Sequence, residues 1–79
     1  MTYKATVYTG PTQVHQLADK FREAGIKVTS KGTYRVTCRI AGDNMDKAKD
    51  NFLLQLRAKH GTVFGIGHQD ITCIVGTPD

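Results

Sequence analysis

The chain switches between two periods. In "IKVTSKGTYRVTCRIAG", residues 26–42, Ile26, Val28, Val36, Cys38 and Ile40 are apolar, and Lys27, Thr29, Lys31, Arg35, Thr37 and Arg39 between them are polar. A period of two belongs to a strand with one buried face, so this stretch predicts two strands, at about 26–31 and 34–41. Residues 3–9 repeat the pattern, with Tyr3, Ala5 and Val7 on one side and Lys4, Thr6 and Tyr8 on the other. A last strand is expected at about 70–75, where Ile71, Cys73 and Val75 share a face, after a short strand-like piece at 62–66. "GTPD" reads as a fraying terminus.

Two segments carry the other period. Val14, Leu17, Ala18 and Phe21 fall at i, i+3, i+4 and i+7, the apolar stripe of an amphipathic helix. The helix is expected over about 11–24, with Thr9 or Gly10 as cap, Pro11 at the first helical position and Gly25 as terminator. A second helix is expected over about 44–60, capped by Asp43. Its stripe is Met45, Ala48, Phe52 and Leu56, with Leu53 beside it and Leu54 outside it. Asp46 and Asp50 lie early and Arg57, Lys59 and His60 late, the order that suits the helix dipole.

Strand, helix, strand, strand, helix, strand is the split βαβ order of the ferredoxin-like α+β fold. By analogy with that fold the strand order is 4-1-3-2, antiparallel, with both helices on one face and the other face open. For the hairpin, keeping Val28 opposite Val36 and Ile26 opposite Cys38 calls for an odd loop, most simply Lys31-Gly32-Thr33. That register sets no two cations directly opposite each other, which favours it. Glycine in the middle of such a loop is unusual, and a bulge would resolve it.

Length adds a bound. A chain of 79 residues makes a single domain, 1–79, that buries only about 60% of its unfolded surface. No apolar run reaches the roughly 20 residues of a membrane span, and no signal peptide is visible, so the expectation is a soluble cytoplasmic protein. Cys38 and Cys73 sit at apolar-face positions, without a CxxC or a histidine at zinc-ligand spacing, and read as small buried hydrophobes.

Charge changes the picture more. Residues 1–40 carry seven Lys/Arg against two Asp/Glu, and residues 41–79 four against five, so the first half holds +5 and the second −1 of the net +4. On the predicted open face lie Lys4, Thr6 and Tyr8, then Lys27, Thr29 and Lys31, then Arg35, Thr37 and Arg39, with Thr72 and Ile74. Lys4, Tyr8, Lys27, Lys31, Arg35 and Arg39 are the candidate contacts to single-stranded RNA or DNA, cations tracking phosphates and the tyrosine stacking a base. An acidic protein surface is the competing partner, and a solvated polar face the reading without any partner. The aromatic run that marks the RNA recognition motif is missing from "YRVTCRI", where the alternation turns Tyr34 inward.

The remaining candidates are weaker. The first loop, "TGPTQ", fits a small-molecule regulatory domain only loosely. His68 stands two residues from Asp70, but no nucleophile is identifiable beside the pair, so no catalytic residue is assigned. "GTVFGIG" follows a helix where a phosphate cradle would open one. No metal or cofactor motif is present. Leu53 and Leu54 are the candidate contacts for a homodimer.

Overall fold

The computed structural model describes residues 2–63 and 65–74, the side chains of Cys73 and Ile74 excepted. The readings for Phe64, for the side chains of Cys73, Ile74 and Val75, and for the terminal "GTPD" lie outside the described residues. The elements run β1 (Thr2–Tyr8), α1 (Val14–Glu23), β2 (Lys27–Lys31), β3 (Arg35–Ala41), α2 (Met45–His60), a 3-10 turn (His68–Asp70) and β4 (Ile71–Ile74). The sheet order is β2-β3-β1-β4 with every neighbour antiparallel. This is the ferredoxin-like arrangement, with β1 and β3 central. The described part of 62–66 is loop.

One apolar cluster joins the inward strand positions to both helices. Ala5, Val7, Val36 and Cys38 from the central strands are fully buried, with Leu17, Ala18 and Phe21 of α1 and Ala48, Phe52 and Leu56 of α2. Phe21 and Phe52 meet edge to face, ring centroids 5.1 Å apart, the geometry that aromatic quadrupoles favour. The two helices are thereby fixed to each other as well as to the sheet.

Both helices end on a left-handed glycine. At Gly25, φ 83°, the N–H bonds to Arg22 O at 3.0 Å and the following Ile26 N–H to Phe21 O at 2.9 Å. This pair is a Schellman closure, and buried Ile26 supplies its apolar contact. At Gly61, φ 72°, the N–H returns to Arg57 O. The N-termini differ from expectation. Pro11 belongs to a turn closed by Gln13 N–H to Gly10 O, and α1 begins three residues later, at Val14. The cap of α2 is Asn44, whose Oδ1 accepts from Lys47 N–H at 2.9 Å, and not Asp43. The chain passes so close at Gly42 that a Cβ there would lie 2.4 Å from Ala48 N, which fixes the entry angle and leaves Asn44 over the first turn.

The β2–β3 register also differs. Lys27 pairs with Arg39 and Val28 with Cys38, then a bulge at Thr29 shifts the ladder so that Ser30 pairs with Thr37 and Lys31 with Val36. The loop is Gly32-Thr33-Tyr34. Thr29 Oγ1 donates to Thr37 O at 3.3 Å across the irregularity.

Candidate nucleic-acid interface

Residues directly opposite on antiparallel strands point to the same side, so the register lays out the open face in rows. The first row crosses four strands, as Lys27 on β2, Arg39 on β3, Lys4 on β1 and Ile74 on β4, the first three of them cations. The second crosses four as Ser30, Thr37, Thr6 and Thr72. In the third, Arg35 stands opposite Tyr8. With strands about 4.8 Å apart, the cation row spans about 10 Å. The hydroxyl row between is low: Thr6 and Thr37 are buried, while Lys27, Arg35 and Tyr8 on either side are exposed. The face is thus a shallow trough with cations along one side and an Arg–Tyr pair along the other.

Of the six expected contacts, Lys4, Tyr8, Lys27, Arg35 and Arg39 share this face. Lys31 does not. The bulge turns it to the side of Val36, where Nζ reaches His15 Nδ1 on α1 at 3.2 Å. Ser30 takes the open-face position instead. The register also overturns the expectation that no like charges face each other, since Lys27 and Arg39 are direct partners and Arg39 and Lys4 are too. Such neighbours cost up to about 1 kcal/mol per pair. An anion between them reverses the sign of that interaction.

No family model, curated protein or solved structure matches the chain. Its function has to be argued from its own geometry.

The carboxylates keep off the sheet, whereas cations occur in both layers, with Lys20 and Arg22 on α1 and Lys47, Lys49, Arg57 and Lys59 on α2. Among the described residues no strand carries a carboxylate. Asp19 and Glu23 are on α1, Asp46 and Asp50 on α2, Asp43 is in the preceding loop and Asp70 is in the 3-10 turn. Tyr34 is exposed, not turned inward, because it lies in the hairpin loop just before the first residue of β3. Its carbonyl accepts from Thr9 N–H at 2.8 Å, which holds it against the end of β1 near Tyr8.

The histidines are engaged in ways that spacing along the chain did not signal. His68 Nε2 faces Asp50 at 3.6 Å and Asp46 at 3.9 Å on α2, while Asp70 accepts from Gly67 N–H at 2.8 Å. The His68–Asp70 pairing is therefore not formed. His60 lies beside Lys20 O at 3.0 Å, tying the end of α2 to the last turn of α1. Among the described residues no cluster of three or more His, Cys, Asp or Glu could hold a metal ion, and no helix is long and apolar enough to cross a membrane. Leu54 is exposed, but Leu53 is buried in the core and cannot serve as a dimer contact. The apolar stripe of α2 is wide enough to include it.

Proposed function

We propose that this protein is a binding module that holds single-stranded nucleic acid on the open face of its sheet. The observation that carries the reading is a sheet face with cations and no acid: Lys4, Lys27, Arg35 and Arg39 share the open face, while no described strand contributes a carboxylate. Phosphates pair with the cations, and a base stacks on exposed Tyr8. The low hydroxyl row leaves room for a sugar-phosphate chain and supplies donors that read no sequence. One well-placed tyrosine makes stacking a minor term, so binding is sequence-indifferent and governed by salt.

Fluorescence anisotropy with labelled single-stranded RNA and DNA tests this at about 50 and 200 mM salt, where phosphate contacts lose affinity steeply. The expected result is binding that weakens with salt and with the double variant Arg35→Ala/Arg39→Ala. Absence of binding at the lower salt would remove the reading and leave the same face for an acidic protein partner.

A further inference from the structure

The hairpin glycine lacks the usual reason for a glycine. A three-residue loop asks for one at its last, left-handed position, whereas Gly32 stands first in Gly32-Thr33-Tyr34. The left-handed glycines among the described residues are Gly25, Gly61 and Gly65, so the backbone at Gly32 is one that alanine also adopts. What sets Gly32 apart is its neighbour. Its N–H donates to Arg35 O at 2.9 Å across the hairpin. A Cβ on it would lie 2.9 Å from Arg35 Cγ, 3.1 Å from Nε and 3.2 Å from Cζ.

The Arg35 side chain therefore lies in the space that a side chain at position 32 would fill. Because β3 runs between β2 and β1, this leans the arginine toward β2 and away from Tyr8, its partner on β1. Tyr8 is left 63% exposed. Among the described residues the Arg35 guanidinium pairs with no carboxylate. A cation is thus held against the hairpin by packing, its charge uncommitted, one strand over from an open aromatic ring.

We infer that Gly32 is a positioning residue for nucleic-acid binding: its missing side chain seats Arg35 on the β2 side, where the guanidinium takes the phosphate of a nucleotide whose base stacks on Tyr8. This role rests on the nucleic-acid reading above and adds to it a residue with no charge, ring or hydroxyl of its own. A guanidinium over the tyrosine would compete with a base for the ring. Drawn aside, it leaves the ring free and stays near the phosphate, which a nucleotide carries one sugar away from its base. The guanidinium fork meets two phosphate oxygens at once only in the right orientation. A seat that fixes the orientation beforehand removes part of the ordering cost of binding. A side chain at position 32 would push the arginine out of that seat.

The test is a double-mutant cycle read by anisotropy with labelled oligothymidylate at about 50 mM salt, beside thermal unfolding of each variant. On a slope of about −0.7 per phosphate, one contact is worth about eightfold in affinity at that salt, the loss expected for Arg35→Ala. Gly32→Ala is expected to lose at least about threefold, half of that free energy. Its Tm is expected to hold or rise slightly, because alanine restricts the unfolded chain. In the Arg35→Ala background the added methyl meets no guanidinium, so Gly32→Ala is expected to change affinity no further. Gly32→Ala binding as tightly as the wild type, or losing the same factor in both backgrounds, would overturn the positioning role while the platform stands. So would an equal fall in Tm in both backgrounds, which marks a turn residue only. Absence of binding by the wild type would overturn the platform and the positioning role together.

Discussion

Two lysines of β2 separate the geometric argument from one based on net charge. Lys27 and Lys31 lie four residues apart on the same short strand, and replacing either by alanine lowers the formal net charge from +4 by one. The bulge at Thr29 puts Lys27 on the open face opposite Arg39 and turns Lys31 to His15 on the helix side. For single strands the logarithm of affinity falls against the logarithm of salt with a slope of about −0.7 per phosphate contact. Four open-face cations, Lys4, Lys27, Arg35 and Arg39, set a slope of about −2.8, which is a loss of about 50-fold between about 50 and 200 mM salt. Lys27→Ala is expected to reduce the loss to about 20-fold, and Lys4→Ala/Lys27→Ala to about 7-fold, on the same slope per contact. Lys31→Ala is expected to stay near the wild-type value. Anisotropy titrations at four or five salt concentrations resolve these slopes. Equal slopes for Lys27→Ala and Lys31→Ala would refute the reasoning, because binding would then follow overall charge and not the face that the register builds.

Further expectations concern the scaffold that holds the face. Gly42→Ala places a Cβ 2.4 Å from Ala48 N and 2.7 Å from Ala48 Cα; backbone cannot swing aside, so a cost of about 2 kcal/mol and a fall of about 10 °C in Tm are expected by thermal unfolding. Asn44→Ala is expected to lose about 1 kcal/mol in urea unfolding and Asp43→Ala no more than about 0.5 kcal/mol, an order that a cap at Asp43 would reverse. A double-mutant cycle of Phe21→Leu and Phe52→Leu is expected to show a coupling of about 0.5–1.5 kcal/mol for the edge-to-face pair, and additive losses would contradict the contact.

The parts legible from the sequence were those pinned by burial. The four strands, two helices and their inward faces follow from positions such as Val36, Cys38, Leu17 and Phe52, each of which has one apolar destination. The hairpin register was not legible, for a definite reason. Register is strongly specified only where a buried side chain must be matched, and after Val28 the strand reads Thr-Ser-Lys, with nothing apolar to hold it. Thr29 and Ser30 are alike in size and polarity, so the bulge at Thr29 leaves no mark in the sequence, and the alternation carries Lys31 to the wrong face. Asp43 and Asn44 cap equally well by type; the choice came from the close approach at Gly42, a tertiary fact. Tyr34 follows the inward alternation but sits in the hairpin loop before β3 begins, where the period does not yet govern.

The bland account of a basic sheet face is that lysines keep exposed edges from pairing with other chains. Its expectation is that charge collects on the outer strands. Here β4, one edge, is Ile-Thr-Cys-Ile and carries no cation, while β2, the other edge, keeps only Lys27 on the face. Lys4, Arg35 and Arg39 stand on β1 and β3, which are paired on both sides and have no edge to protect. Solubility does not explain the placement either. Mixed signs serve solubility as well as one sign. A row of cations across the middle of a sheet whose described strands carry no carboxylate is the arrangement that phosphates along a strand would use. That asymmetry favours a phosphate-bearing partner over a merely solvated face.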